Sequence, residues 1–443
     1  MFLLVFIIIN FFLVITYHSK KLNKFYLLGI LVVLFMEPAF QKLTDPTMFG
    51  DSYMVYGIDR LKTNIIMGAT FIFLLMYPKN KSHLSNHFIF FFTIIMFHLL
   101  NVIFSIDVQN SAALFIVSVI IPILLYLTLM SLGENFFGNN SNVLFSIYLG
   151  IITFISIGLV MYNKTSSGGA DVEEGFNRTG GGLWLSNVST QVLALFFPLL
   201  LIKNPVKKLN IFRIIALILF FVLLTVSLSR TALFVYAFMM LFFLLKAKNK
   251  MLLVTGGMLF LVVSYYVLSA KLNFDLIEMY ETRFHGKGSV AETIEGDGRI
   301  SIYGEALEVF KNSNIFLGNG ISSFNHINKM GFSNAHNIYI NILVERGLIG
   351  IAFLVGMLVY IFRKIGRLKR TFNLSEIDKR ILNSLRLGLI GFFLIGMTGN
   401  DLFINSGFVN SWPISCIVVL ICIVENKALI YKKNKKLLHD HLN

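Results

Sequence analysis

Charged residues are scarce in this chain of 443 residues: 14% are Asp, Glu, Lys or Arg, whereas 56% are hydrophobic. Soluble domains carry about 25% charged residues, so the composition excludes a soluble globule. Disorder is excluded as well, because it requires low hydrophobicity together with high net charge. A membrane-spanning helix takes about 20 apolar residues, so the chain can cross a bilayer about a dozen times. The composition therefore predicts an all-α, polytopic integral membrane protein.

Several kinds of chemistry lack their usual residues. The two cysteines, Cys416 and Cys422, lie in the last apolar run and are predicted to be packing residues, not a disulfide or a zinc site. The sequence contains no GxxxxGK[ST], HExxH, nucleophile elbow or DxD motif. We therefore predict no metal site and no cofactor. A basic leader and a cleavage site are also missing, so residues 1–17 are expected to form a retained first span.

Apolar runs predict thirteen spans, which corresponds to about 12–13 transmembrane helices. The runs lie at residues 1–17, 25–40, 64–78, 88–105, 112–131, 143–162, 183–202, 211–228, 231–245, 251–270, 347–362, 384–401 and 411–425. The connection at 163–182 is rich in Gly, Ser and Asn and is expected to be flexible. The connection at 271–346 is the one long polar stretch, and its length favours a functional loop.

The predicted spans divide the chain into four regions. Residues 1–162 hold the first transmembrane helices, and residues 163–270 hold further helices with the first functional outward loop. Residues 271–346 form the long extracytoplasmic loop, in which Ile300, Ala306, Val309 and Phe310 follow a helical period. Within this loop LGNGISSF predicts a turn, and a helix is expected from Asn334 to Gly347. Residues 347–443 hold the last helices and a basic tail.

The net charge of +15 is distributed unevenly among the loops. Most lysines and arginines lie in the alternate loops that include residues 203–213, 363–386 and 426–443, whereas most acidic residues lie in the others. Positive loops face the cytoplasm, so the distribution predicts a cytoplasmic C-terminus and an outward loop at 271–346. The basic excess is thus an orientation signal and does not indicate a nucleic-acid partner.

Three arginines in outward segments are candidate anion-binding residues. Arg230 lies between two apolar runs in SLSRTAL, where a guanidinium either snorkels to the interface or binds an anion such as phosphate. Arg299 follows GDG in the long loop and either pairs with Asp297 at the surface or binds a ligand. Arg178 precedes a glycine run that permits close approach of a ligand, although an ordinary surface role is the simpler interpretation.

One histidine and one aspartate complete the candidate site. His336 is placed in the first turn of the helix expected from Asn334, where the positive helix end favours neutral imidazole and hence a general base. A capping or interfacial histidine is the alternative. Asp401 lies at the end of a span and either stabilises a cationic partner or is an ordinary helix-end carboxylate. His98, inside an apolar run, is expected to be a hydrogen-bonded residue of the bundle.

Four segments together resemble the bacterial superfamily of O-antigen ligases and O-antigen or capsule polymerases. They are NRTGGG before a span, SLSRTAL between two spans, GDGRISIYGEALEVF followed by FLGNGISSF, and AHNIYINILVERGLIG before a late span. The similarity covers residues 175 to 410, whereas the first five spans match only as a hydrophobic pattern. Members of this superfamily usually have about twelve spans with both ends in the cytoplasm. The thirteen spans and outward N-terminus predicted for this chain differ from that pattern.

The resemblance implies a metal-independent, inverting membrane glycosyltransferase of lipopolysaccharide or capsule biosynthesis. The donor is an undecaprenyl-pyrophosphate-linked oligosaccharide, used at the outer face of the bacterial inner membrane. By the resemblance, Arg230 and Arg299 bind the pyrophosphate and His336 deprotonates the acceptor. Arg178 is carried over with less weight, because it matches a less uniform position. Asp401 is added as a substrate-binding candidate from its place at the end of a span.

Three functions remain as alternatives. A polymerase transfers the glycan to another lipid-linked repeat unit and can have a chain-length regulator as a partner. A ligase transfers it to lipid A core through the same motifs. A flippase or other transporter for lipid-linked oligosaccharides is the third, but the sequence shows no internal repeat.

If the resemblance holds, glycosyl transfer should survive EDTA, because no acidic or histidine cluster is predicted on the outward face. The measurement is the initial rate of transfer before and after chelation. Loss of activity that magnesium or manganese restores would contradict the prediction and point to Glu295 and Asp297.

Overall fold

The computed structural model describes most of the chain. The described residues are 2–19, 22, 25–44, 58–77, 88–132, 137–164, 171–173, 176–178, 186–227, 229–246, 299–321, 323–329, 335–397 and 412–442. The predicted span at 251–270 lies outside these residues, as do Asp401 and residues 271–298 of the long loop.

Helices account for nearly all of the described structure. Their bounds are α1 Phe2–His18, α2 Tyr26–Thr44, α3 Ile58–Met76, α4 Phe88–Ile103, α5 Val108–Phe115, α6 Ile121–Ser131, α7 Asn140–Lys164, α8 Ser186–Leu200, α9 Asn210–Ser227, α10 Arg230–Lys246, α11 Arg299–Lys311, α12 Phe324–Ile327, α13 Ile338–Thr371, α14 Glu376–Ile395 and α15 Trp412–Leu442. A π-helical turn, Ile116–Ile120, joins α5 to α6, and a 3-10 turn, Lys207–Leu209, precedes α9. The one sheet among the described residues pairs two short strands, β1 Asp171–Glu173 and β2 Phe176–Arg178.

The predicted fold class is confirmed: the protein is a polytopic helical membrane protein. Three stretches are long and apolar enough to cross a membrane by length and composition, namely Val108–Ser131, Ile338–Thr371 and Pro413–Lys435. Shorter apolar helices coincide with seven further predicted spans. Helix α13 is interrupted at Gly347, the first residue of the span expected at 347–362. One boundary differs from the prediction: the span expected at 384–401 ends at Ile395, before Gly396.

The π-helical turn has a local cause. Pro122 stands at the start of α6 and has no backbone N–H, so the regular hydrogen-bond ladder of the span cannot pass through it. The N–H of Ile121 bonds the carbonyl of Ile116, five residues back, which is the π-type spacing. Ser118 in this turn donates its hydroxyl to the Leu114 carbonyl at 2.6 Å. The span therefore stays continuous from Val108 to Ser131.

Helices α8 and α14 form a closely packed antiparallel pair. Gly388 of α14 faces the backbone of Leu195 in α8, where any Cβ would overlap the Leu195 carbonyl oxygen. Nearby, the Ser384 hydroxyl donates to the Pro198 carbonyl across the pair at 3.1 Å. Small residues at the contact allow the two backbones to approach, which is the usual way that helices associate in membranes.

The bundle has two polar ends, the His336 end and the basic end. The His336 end comprises His336, the start of α13 at Ile338 and the end of α14 at Gly396. The basic end lies opposite, at the connection between α13 and α14. Exposed Lys369, Arg370 and Arg380 lie there.

At the basic end, Asp378 connects three helices, α7, α14 and α15. Its carboxylate forms an ion pair with Lys427 of α15 and accepts hydrogen bonds from Asn140 of α7, at 3.0 Å, and from Tyr431, at 2.7 Å. Its backbone N–H donates to the hydroxyl of Ser375, the N-cap residue of α14, at 3.2 Å. Although burial raises the pKa of this carboxyl, the Lys427 ammonium and the hydrogen bonds prevail and lower it to about 2.

Replacing Asp378 by Asn should destabilise the protein by about 3–5 kcal/mol, because Lys427 loses the carboxylate that compensates its buried charge. In the wild type, this contribution is present above the unfolded-state pKa of about 3.9 and is lost as the pH falls through the folded-state value. Thermal unfolding in detergent at neutral pH measures the effect. The matched control is Glu376→Gln, since Glu376 pairs with Lys379 at the surface. Equal melting temperatures for both variants would contradict the prediction.

Candidate active site

The predicted site residues differ in how the structure describes them. Arg230 is the first residue of α10, and Arg299 is the first residue of α11. Arg178 ends β2, opposite Asp171. For these three arginines the structure describes the position of the backbone. His336 is described with its side chain, whereas Asp401 lies outside the described residues.

His336 lies just before α13 and not inside its first turn, which corrects the prediction of a helix from Asn334. The helix begins at Ile338, and its N-cap is Asn337, whose Oδ1 accepts the N–H groups of Tyr339 and Ile340 at 2.9 and 3.2 Å. Asn is a strong N-cap, so the helix begins after Asn337 and leaves His336 outside.

The backbone of His336 is strained. Its φ of 50° is the only positive φ at a non-glycine residue in the described part of the chain. Such conformations are uncommon, cost about 1–3 kcal/mol and concentrate at functional sites. The side chain is half-buried. The conformation persists because the residues on both sides are held: Ala335 N–H donates to Asn341 Oδ1 at 2.7 Å, and Ile338 N–H donates to the Gly396 carbonyl at 2.9 Å.

One carbonyl joins three helices at this position. The Met397 carbonyl accepts a hydrogen bond from Asn337 Nδ2 at 2.9 Å and another from the Tyr303 hydroxyl at 3.4 Å. Tyr303 is one turn after Arg299 in α11. The start of α11, the N-cap of α13 and the end of α14 are therefore neighbours, which brings the backbone of Arg299 to the His336 end.

The start of α10 lies at the same end of the bundle. Helix α8 is antiparallel to α14 and begins at the His336 end, so α9 returns towards that end and α10 starts there. Consistent with this path, Gly391 of α14 packs against Met239 and Val235 of α10. Arg230 precedes Val235 by about one and a half turns, on the side towards the His336 end.

The predicted turn in LGNGISSF packs against a break in α13. Gly347 interrupts the helix with φ 62° and ψ −163°, so nearby backbone groups lose their helical partners. The loop supplies replacements: Leu348 N–H donates to the Ile315 carbonyl, and Gly320 N–H donates to the Glu345 carbonyl. Further bonds join Asn319 N–H to the Val344 carbonyl and Ile349 N–H to the Phe316 carbonyl.

Two further features fix this contact. Asn101 of α4 donates its Nδ2 to the carbonyls of Leu317 and Glu345 at 2.6 and 3.0 Å, which joins loop and helix. Gly318, with φ 73°, lies so close to Glu345 that a Cβ would overlap its backbone. The prediction that the helix from the AHNIY segment closes at Gly347 is confirmed, and the reason is this contact.

A buried arginine beside the break was missed by the sequence reasoning. Arg346 is 1% exposed, and its Nη1 lies 3.7 Å from a carboxylate oxygen of Glu345. Because an arginine at membrane depth is costly, it marks a functional position more often than a surface arginine does. The available signal was its spacing: Ile342, Arg346 and Gly350 recur every four residues and share one helical face.

His98, predicted to be hydrogen-bonded, pairs its Nδ1 with the Ile94 carbonyl at 2.9 Å.

Comparison with known families supports the resemblance found in the sequence. Residues 215–355 match the O-antigen ligase family. The predicted resemblance to the O-antigen ligase and polymerase superfamily is thereby confirmed over this segment, about a third of the chain. The segment contains Arg230, Arg299 and His336, and it ends after the break at Gly347. Arg178 and Asp401 lie outside it. No curated protein matches the chain significantly.

Gly347→Ala should impair folding, because alanine strongly disfavours this φ and its Cβ would overlap the Phe316 carbonyl. We expect a loss of about 1–3 kcal/mol, seen as a lower melting temperature and lower yield of folded protein. Gly366→Ala is the matched control in the same helix, since a Cβ there meets no atom within 4 Å. The interpretation of the break fails if both variants melt at the wild-type temperature.

Proposed function

We propose that this protein is a membrane glycosyltransferase that polymerises lipid-linked glycan repeat units. The donor is an undecaprenyl-pyrophosphate-linked oligosaccharide, used at the outer face of the bacterial cytoplasmic membrane. The observation that carries the proposal is the family match over residues 215–355, in a chain whose backbone brings the starts of α10, α11 and α13 to one end of the bundle. The first residues of these three helices lie far apart in the sequence.

Arg230 and Arg299 are proposed to bind the pyrophosphate. Each is the first residue of a helix, so unpaired backbone N–H groups of the first turn add their partial positive charge to that of the guanidinium. Guanidinium groups bind phosphate oxygens through two parallel hydrogen bonds. The negative charge on the leaving pyrophosphate grows during transfer, so these contacts strengthen as the reaction proceeds. Arg178 and Asp401 are proposed as further contacts to the substrate.

His336 is proposed to be the general base. The imidazole accepts the proton of the acceptor hydroxyl while the hydroxyl oxygen forms a bond to the anomeric carbon. The bond from that carbon to the pyrophosphate breaks at the same time, and undecaprenyl pyrophosphate leaves with the electron pair. Direct displacement inverts the anomeric configuration and requires no metal. The strained backbone supports this role, because it is maintained by fixed neighbours on both sides.

A ligase is the second candidate, and the description of the matched family favours it. In that case the acceptor is lipid A core and not another lipid-linked repeat unit. The choice of polymerase over ligase rests on the SLSR form of the segment around Arg230, which resembles polymerases. It also predicts that a chain-length regulator can act as a partner.

The deciding experiment is an assay with the purified chain and a synthetic undecaprenyl-pyrophosphate repeat unit, with and without lipid A core. Elongation of the lipid-linked glycan without lipid A core supports the polymerase. Transfer that occurs only when lipid A core is added supports the ligase. Absence of transfer to either acceptor overturns the proposed enzyme.

Mutation should separate acceptor activation from donor binding. His336→Ala should retain donor affinity but lose about 10²–10⁴-fold in transfer rate, the usual effect of removing a general base. Arg230→Ala and Arg299→Ala should weaken donor binding and transfer together, and lysine at either position should rescue in part, because it keeps the charge but not the planar fork. Donor affinity and initial rate are measured in one nanodisc preparation.

The control for these variants is His326→Ala. His326 lies in the same region, on α12, and pairs with Asp107 at 3.0 Å near the surface. Its removal should leave transfer within about twofold of wild type, because exposed ion pairs contribute little. Near-normal transfer with loss of donor binding in His336→Ala would assign the histidine to the phosphate site.

A further inference from the structure

A strip of exposed side chains without charge runs along α13 and continues onto the loop from Asn314 to Gly320. On the helix the strip consists of Leu348, Ala352, Val355 and Val359, which recur at helical spacing. Beyond Leu348 it continues with Ile315 and Phe316 of the loop, which are 47% and 64% exposed. A contiguous exposed apolar surface of this kind marks a contact with lipid or with another protein.

Backbone hydrogen bonds hold the loop level with the first turn of α13 after the break. The Leu348 N–H donates to the Ile315 carbonyl at 2.9 Å, and the Ile349 N–H donates to the Phe316 carbonyl at 3.3 Å. Ile315 and Phe316 therefore lie beside Leu348, although the sequence places them in the middle of a long polar connection.

An arginine at the other end of the strip indicates how deep Leu348 lies. Arg363 follows Val359 by about one turn on the same face and is exposed, so its guanidinium can reach the headgroups of the opposite leaflet. From Arg363 to Leu348 the helix rises about 22 Å. The hydrocarbon core of a bilayer is about 30 Å thick, and any tilt of the helix shortens its rise along the membrane normal. Leu348, and with it the loop, is thus expected within the hydrocarbon core.

The loop also meets the condition for entering hydrocarbon, which is that its backbone polar groups have partners within the protein. Each N–H from Phe316 to Gly320 donates a hydrogen bond, the first three to Asn314 and the last two to carbonyls of α13. The sequence has no Lys, Arg, Asp or Glu between Lys311 and Lys329. A loop that faced water would need neither property, because water would supply the missing partners and solvate charges.

We propose that the loop from Asn314 to Gly320 inserts into the bilayer leaflet at the His336 end, where Ile315 and Phe316 contact the acyl chains of membrane lipids. Continuity with the strip on α13 selects lipid as the partner, because acyl chains cover the face of a span that the protein leaves exposed. The inference does not depend on the proposed enzymatic activity. Helix α11 ends at Lys311, directly before this loop, so the insertion anchors α11 to the membrane.

Spin labels on the full-length chain measure the depth of the loop. Phe316→Cys is labelled with a nitroxide and reconstituted in liposomes of phosphatidylethanolamine and phosphatidylglycerol. Electron paramagnetic resonance then compares the accessibility of the label to oxygen, which concentrates in hydrocarbon, with its accessibility to a water-soluble nickel chelate. The native Cys416 and Cys422 are buried, so they should remain unlabelled, and the wild type measures any background.

Two matched controls calibrate the measurement. Val355→Cys places the label on the same strip within the span, and Glu308→Cys places it on the exposed, charged face of α11. We expect the ratio of oxygen to nickel accessibility at position 316 to exceed that at position 308 several-fold and to approach the ratio at position 355.

Two results would overturn the proposal. A label at position 316 that the nickel chelate reaches as readily as the label at position 308 lies in water, so the loop does not enter the bilayer. A label that neither reagent reaches lies against protein, so the partner is a second copy or another protein and not lipid. If Phe316→Cys does not fold, Ile315→Cys is measured in its place and decides by the same criteria, since Ile315 is the neighbouring exposed residue of the strip.

Discussion

The break at Gly347 is the constraint on which the rest of the His336 end depends. A backbone that leaves helical geometry next to a membrane span exposes N–H and C=O groups that water does not reach, so each must find another partner. The loop from Asn314 to Gly320 provides these partners and is held in turn by Asn101 of α4. Glycine at positions 318 and 347 makes the approach possible. A loop that would otherwise be mobile thereby becomes part of the bundle.

Charges and backbone have separate tasks in this arrangement. The glycines and asparagines fix the path of the chain, with Asn337 capping α13 and Asn101 joining loop to helix. The backbones of the candidate catalytic residues stand at helix starts: Arg230 begins α10, Arg299 begins α11, and His336 lies directly before the N-cap of α13.

The bundle was largely predictable from the sequence, because a membrane span is a local property of about twenty consecutive residues. The helical period around Ile300 likewise predicted α11, and LGNGISSF predicted a turn. The contacts between these pieces were not predictable. Asn101 bonds Leu317 across 216 positions, and no local pattern indicates such a pair. The start of α13 was misplaced because Asn334 and Asn337 are both good caps and tertiary contacts select the second.

The shared Met397 carbonyl has a mechanical consequence. A carbonyl oxygen has two lone pairs, and here Tyr303 and Asn337 use both. Helix α11 therefore cannot slide along α14 without disturbing the segment that carries His336. The starts of α11 and α13 and the end of α14 are thus expected to move together, which preserves the spacing between the backbones of Arg299 and His336.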